Sequence, residues 1–334
     1  MERIRQLGLV VSSLALLSSA QCWCVDSAQA QHEPTPRRIA MIIVGQSLQG
    51  GAAQAFREGL RDAGYTEGRD VILEWRSANG DYAQLPAMVA DIVRSKPDII
   101  VVESTVATGV VKQATSSIPV VMAVVADPVG SGFVETLARP GGNLTGLSMM
   151  MPDILTKRLQ LLKEAMPNLT RLGVLRDPSV GWHTKAFDDL AVAARPMGVE
   201  LTSVSASRPA DLERAFSALR SSHVQALYLL DNAFFGAQRK TILRLASQFQ
   251  LPVAAGGTSQ WAADGALLAY SADFNDIFRR TAGYVDRVLK GAKPRDLPIQ
   301  QPTKFLLVIN LKTAKALRLK VPASILAQAD EVIQ

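Results

Sequence analysis

The chain has 334 residues, 48% hydrophobic and 20% charged, with a net charge of +6, a globular balance that suits two domains better than one. The basic excess is spread thinly, with no basic run and no interleaving of aromatic and basic residues, which argues against a nucleic-acid footprint. Arg3 and Arg5, an apolar run from Leu7 to Leu17 and a polar stretch ending in Ala28-Gln29-Ala30 follow the order of a cleaved secretory signal peptide, and the run is shorter than the roughly 20 residues that cross a bilayer.

Cleavage after Ala30 is therefore expected, with a soluble periplasmic product. Cys22 and Cys24 both fall in the segment removed, and neither carries the small preceding residue and upstream aliphatic of a lipoprotein signal. The mature chain would have no disulfide or thiol chemistry. Residues 31–37 read as a disordered tail.

The first strand spans Arg38 to Val44, followed by a Gly-Gln-Ser loop and a helix from Gly51 to Ala63, with Gly64 as its C′ residue. A strand from Asp70 to Arg76, a turn at Asn79-Gly80-Asp81 and a helix with Leu85, Met88, Val89, Ile92 and Val93 inward come next. Ile99 to Val102 and Val120 to Val125 are continuous β-branched runs, as in parallel strands covered on both faces. A turn at Pro140-Gly141-Gly142-Asn143 precedes a bridging helix from Ile154 to Met166.

The programme then restarts. Strands at Arg171–Arg176, Val199–Val204, Ala226–Leu230 and after Pro252 alternate with helices at Thr184–Pro196, Asp211–Arg220 and Arg239–Phe249. Corresponding landmarks keep nearly constant separations: 133 residues from Ile39 to Leu172, 127 from Ile99 to Ala226, and 133 from Pro119 to Pro252. A strand at Ala266–Tyr270, a helix at Phe274–Leu289, a strand at Phe305–Ile309 and two helical segments split at Pro322 follow. The pattern predicts an α/β protein of two similar doubly wound lobes joined by crossover segments: residues 38–150, completed by part of 273–292, and residues 151–272, completed by part of 297–334.

No catalytic set accompanies this scaffold. The histidines His32, His183 and His223 have no metal-ligand spacing, and no H-E-x-x-H, Cys cluster, Walker A loop, G-x-S-x-G elbow or G-x-G-x-x-G turn is present. No metal and no cofactor are expected. Two lobes without a catalytic set argue for binding.

Several segments carry a resemblance almost end to end: Phe56–Tyr65 (FREGLRDAGY), Ala126–Gly132 (ADPVGSG), Leu137–Gly146 (LARPGGNLTG), Lys157–Glu164 (KRLQLLKE), Gly283–Pro298 and Gln301–Ile333. The sequence resembles substrate-binding proteins of ABC transporters in the type I periplasmic-binding (Venus-flytrap) fold, in the branch that includes tryptophan- and tyrosine-binding proteins. It departs at Arg318, where that family usually has Gly, and in the loops Asp231-Asn232-Ala233 and Gly256-Gly257-Thr258. The resemblance implies a monomer that binds a small carboxylate or amino acid between its lobes and delivers it to an inner-membrane permease and its ATPase, with no nucleic-acid partner. A sensor that hands its ligand to a signalling partner is the rival reading, and an enzyme on the same fold is another.

Candidate ligand residues lie at the carboxyl ends of strands, where open parallel sheets place ligands. Ser47, Ser104, Thr105 and Thr108 precede or begin helices whose free N–H groups favour a carboxylate. Asp127, Asp177 and Asp231 could accept an ammonium group, although Asp is also a common turn and cap residue. Trp182 and Phe234 could stack on a ring, whereas Phe235 and Trp261 read as packing residues. Gly257 shapes its loop, and the Tyr270 hydroxyl could close the polar network. Removing the Asp231 carboxylate is expected to weaken binding and leave the fold intact, because strand-end loops contribute little to a core.

Overall fold

The computed structural model describes residues 35–45, 48, 50–149 and 151–334. The predicted signal segment and Ser47 lie outside the described residues.

In chain order the first half runs β1 (Arg37–Ile43), α1 (Gly51–Asp62), β2 (Val71–Ser77), α2 (Leu85–Ser95), β3 (Ile99–Glu103), α3 (Thr105–Ala114), β4 (Val120–Val125), β5 (Leu144–Ser148) and α4 (Met151–Ala165). The second half runs β6 (Arg171–Arg176), α5 (Trp182–Ala194), β7 (Glu200–Ser205), α6 (Leu212–Ser221), β8 (Ala226–Leu229), α7 (Ala233–Ala237), α8 (Arg239–Gln248), β9 (Val253–Ala255), α9 (Gln260–Ala263) and β10 (Leu268–Ala272). The chain closes with α10 (Phe274–Leu289), β11 (Phe305–Asn310), α11 (Leu311–Ala316), α12 (Ala323–Leu326) and β12 (Glu331–Ile333).

The first sheet has the order β2-β1-β3-β4-β5 and is parallel throughout. In the second, β7-β6-β8-β9-β10 repeats that order, and β11 and β12 extend it beyond β10. β11 runs antiparallel to β10, and β12 parallel to β11. The repeated sequence spacing has thus folded into a repeated topology.

Strand β1 shows why both faces must be covered. Ile39, Met41 and Ile43 pack into the cluster shared with Phe56 of α1 and Ile277 and Phe278 of α10, while Ala40, Ile42 and Val44 pack with Leu85, Val89 and Ile92 of α2. Successive side chains point to opposite faces, so a strand between two helical layers must be apolar at every position. Helix α10 returns from β10 to the first sheet and lies against α1. A Cβ at Gly59 would sit 2.6 Å from the Arg279 carbonyl and 2.8 Å from Ala282 Cβ, so the glycine of FREGL sets this close approach.

Several features differ from the sequence expectation, among them β1 starting at Arg37, inside the tail read as disordered, and the short helices α7 and α9. Leu144–Ser148, given no element in the sequence reading, is the fifth strand of the first sheet. It is buried, but at five residues with Thr145 and Gly146 inside it has no β-branched run to announce it. The last helical segment is short, and the chain ends on edge strand β12, pinned where Asp330 Oδ2 accepts Leu307 N–H at 2.7 Å. Strand β10 begins at Leu268, two residues after the expected start.

Arg318, where the resemblance leads to the expectation of Gly, holds a strained backbone position. It is the C′ residue of α11 at φ +55°, with Arg318 N–H donating to Lys315 O and Leu319 N–H to Ala314 O, the paired bonds of a Schellman turn. A side chain is strained there and Gly is not. Arg318→Gly is expected to raise the unfolding free energy by roughly 0.5–1 kcal/mol in urea titrations; a lower denaturation midpoint would contradict it.

Candidate functional site

Both sheets change direction at the same place in their strand order, between β1 and β3 in one and between β6 and β8 in the other. Ligand loops are expected at these switch points. A cavity of about 440 Å³ lies there, lined from the first sheet by Gly45, Glu103, Ser104 and Thr105 and from the second by Trp182 and Asp231. That volume is within the ~300–1,000 Å³ of small-molecule sites.

Among the described candidates, Ser104, Thr105, Trp182, Asp231 and Gly257 line the cavity. Ser104 caps α3, its Oγ accepting Ala107 N–H at 3.3 Å, and holds φ at +87°, which L residues rarely adopt. The strand pairing slips between Val102 and Glu103 immediately before it, and strained residues of this kind gather at ligand sites. Thr105 Oγ1 accepts Ala126 N–H at 3.0 Å, tying the loop after β4 to the start of α3. Gly257 holds φ at +82°, and Trp182 meets the His183 ring edge-on at 4.4 Å.

The remaining candidates are placed elsewhere. Thr108 is fully buried and donates to Ser104 O at 2.8 Å within its own helix. Asp127 Oδ1 accepts Gly130 N–H at 2.8 Å, the turn role common to Asp. Asp177 is fully buried and ties three loops of the second sheet together: it accepts Ser179 N–H and Oγ–H, Ser207 Oγ–H at 2.6 Å and Asn232 Nδ2–H at 3.1 Å. Phe234 packs in the second sheet's core, and its neighbour Phe235 takes the cavity wall instead. Tyr270 stacks on Phe305 with centroids 6.1 Å apart, while Ser271, one residue on and so on the opposite strand face, lines the cavity.

This geometry agrees with comparisons to known proteins. Residues 38–333 match the family model for ABC transporter substrate binding proteins. The chain belongs to that family. A tyrosine-binding protein of Clostridioides difficile is 26% identical over 279 residues, covering 84% of this chain and 79% of that protein. A crystal structure of an ABC domain in complex with L-Trp from Streptococcus pneumoniae superposes with a TM-score of 0.83 at 25% identity, over 90% of this chain and 100% of that one. A conserved domain protein from Vibrio cholerae O1 biovar El Tor gives 0.82 at 29% identity, over 89% and 99%. Proteins of this family bind small solutes and work with an ABC permease.

The structure of this substrate-binding protein also brings in residues that the sequence reading did not single out. Arg158, on the inner stripe of α4 with Leu155, Leu159 and Leu162, is fully buried at the cavity floor. Its Nε donates to Tyr270 O at 3.0 Å, Nη1 to Leu229 O at 3.1 Å and Nη2 to Asp231 Oδ2 at 2.5 Å. Burial opposes the charge, but Asp231 and Tyr228 outweigh it, so the guanidinium pKa rises. The other Asp231 oxygen accepts Gly256 N–H at 2.9 Å. Gly256 is obligatory here, since a Cβ would collide with Arg158 Nη2 and Asp231 Oδ2. Asp231 therefore neutralises a buried cation as well as lining the cavity, so its removal is expected to weaken the fold, contrary to the expectation drawn from the strand-end rule.

Glu103 ends β3 at the cavity, its Oε2 accepting Val44 N–H at 2.6 Å and Gly45 N–H at 3.1 Å. Asp273 caps α10 beside it, accepting Asn275 N–H at 2.9 Å. Two signals were legible beforehand: a charged residue inside an apolar helical stripe (Arg158), and one immediately closing a fully apolar strand (Glu103). His183 is fully buried, and its pKa falls to about 4, chiefly through desolvation.

Proposed function

We propose that this chain is a periplasmic receptor, not an enzyme, that closes its lobes (residues 38–150 and 151–272, with the crossover segments) on a free amino acid with an aromatic side chain and delivers it to a permease. Export would follow cleavage after Ala30. The observation that carries the reading is the cavity lined by strand-end loops of both sheets, since a ligand touching both lobes stabilises the closed form.

Its chemistry suits a zwitterion with a ring. The Ser104–Thr105 helix start offers backbone N–H groups and a positive dipole end to a carboxylate. Asp231, Glu103 and Asp273 bring three carboxylates to the lining against two guanidiniums, Arg158 paired with Asp231 and Arg239 paired with Asp264 at 2.6 Å. The surplus of negative charge favours an ammonium group. Trp182, Phe235 and Trp261 supply apolar and aromatic wall. The tyrosine-binding relative and the L-Trp complex support the same ligand class.

A thermal-shift screen tests this. Aromatic amino acids should stabilise the protein as RT ln(1 + [L]/Kd), about 2.7 kcal/mol at 100-fold excess over Kd. Stabilisation by sugars or nucleosides, with every amino acid inert, would remove the reading.

A further inference from the structure

The charge of the second half of the chain is unevenly written. Neither segment 232–263 nor segment 297–329 contains an Asp or Glu, yet both carry Lys and Arg throughout. Two of these cations find acids outside the segments, Arg239 with Asp264 at 2.6 Å and Lys304 with Asp276 at 3.2 Å. The others, Lys240, Arg244, Lys312, Lys315, Arg318 and Lys320, are exposed and form no ion pair among the described residues. Arg244 Nη1 donates only to the neutral Gln248 Oε1, at 3.1 Å.

The fold brings the two segments to one place. A second cavity, of about 450 Å³, lies between α8 and α11, with Lys240 and Arg244 on one wall and Thr313, Ala316 and Leu317 on the other. Lys312 and Lys315 flank Thr313 and Ala316 along α11, and Arg318 and Lys320 follow in the turn after it. The lining includes the apolar side chains of Leu243, Leu251 and Val253. Its acid, Asp264, is already committed, accepting Arg239 Nε–H at one oxygen and Gln260 Nε2–H at the other. Arg318 adds an independent sign: the chain keeps a cation at φ +55°, where glycine would be relaxed. This cavity shares no lining residue with the candidate solute site.

We infer that the face formed by α8, α11 and the turn after α11 docks the protein on an anionic lipid surface, with lipid phosphates against the unpaired cations and hydrocarbon toward the apolar cavity. Four of the six cations are lysines, compact charges on flexible stems, and none is fixed by an acidic neighbour. Such charges around an apolar opening suit a fluid layer of phosphates over hydrocarbon better than the fixed side chains of an acidic peptide. The choice of a membrane rests on the reading of the chain as an exported receptor that serves a permease.

Co-sedimentation of the chain from Gln31 onward with phosphatidylcholine vesicles, with and without phosphatidylglycerol, tests this. Wild type should bind only the anionic vesicles and be released by high salt. Each cation near such a surface contributes about fivefold to partitioning, so the double variants Lys240→Gln/Arg244→Gln and Lys312→Gln/Lys315→Gln should each bind roughly 25-fold more weakly, and Arg318→Gly about fivefold. Arg195→Gln/Arg220→Gln removes the same charge from exposed positions elsewhere in the second half and should bind like wild type. Wild type that ignores phosphatidylglycerol overturns the inference, as does an equal loss in the Arg195/Arg220 pair, which would assign binding to net charge alone. Capture by immobilised poly-glutamate without vesicle binding would assign the face to an acidic protein and overturn the lipid. None of these measurements needs a solute, so failure of the docking face and failure of the solute assignment are separate results.

Discussion

Asp231→Ala should lose much of its folded stability, by about 3–5 kcal/mol, before any effect on ligand is considered. Arg158 is fully buried, and Asp231, 18% exposed, is the carboxylate paired with it. The backbone carbonyls of Tyr270 and Leu229 satisfy two of its donors but carry no charge. Deleting the carboxylate strands a cation in the protein interior, which costs far more than losing one hydrogen bond at a surface loop. The partner substitution separates charge from packing. Arg158→Met with Asp231→Ala removes both ions and keeps an apolar stem on α4, so the double variant should be more stable than Asp231→Ala alone. Urea unfolding followed by circular dichroism reads both effects. An Asp231→Ala variant that unfolds at the wild-type midpoint would show that the pair is dispensable to the fold and leave the residue as a cavity-lining group alone.

The protein should also weaken under mild acid through one side chain. His183 Nδ1 accepts Asp177 N–H at 2.9 Å and so is unprotonated, and Nε2–H points to Asp231 O at 3.2 Å. Burial lowers its pKa from 6.5 to about 4, with the carboxylates of Asp177 and Asp231 and the Asp231 carbonyl pulling weakly the other way. A protonated Nδ1 would set two donors against each other. Between about pH 6.5 and about pH 4 the unfolded chain binds a proton that the native chain refuses, so the stability is complete above the upper value and declines as pH falls. The slope approaches 1.4 kcal/mol per pH unit, about 2 kcal/mol between pH 7 and pH 5. His183→Gln keeps an amide in the network and removes the titration. Its unfolding free energy should fall between pH 7 and pH 5 by about 2 kcal/mol less than wild type. Equal losses in the two proteins would assign the acid sensitivity to other groups.

Some of the candidate site's lining was legible in advance because position along a strand is a one-dimensional property. A parallel sheet puts ligand loops at strand carboxyl ends, and Ser104, Thr105, Trp182, Asp231 and Gly257 sit at or beside those ends and line the cavity. The same rule selected Asp127, Asp177, Phe234 and Tyr270, which do not line it, because being near a strand end does not say which way a side chain turns. Tyr270 and Ser271 differ by one residue and face opposite ways. Phe234 and Phe235 exchange the roles expected of them for a comparable reason: on so short a helix the register, and with it the inward face, is set by neighbours and not by periodicity.

The sequence by itself determined the lobes and their order. Apolar runs, their spacing and the repeat near 130 residues are local or periodic, and hydrophobic burial enforces them wherever the chain goes. Only the tertiary structure decided which charges pair and which surfaces meet. Arg158 and Asp231 are 73 residues apart and Tyr82 and Ala233 are 151 apart, and nothing local to either residue of a pair encodes its partner. A buried ion pair exists only once three-dimensional packing has excluded water from it.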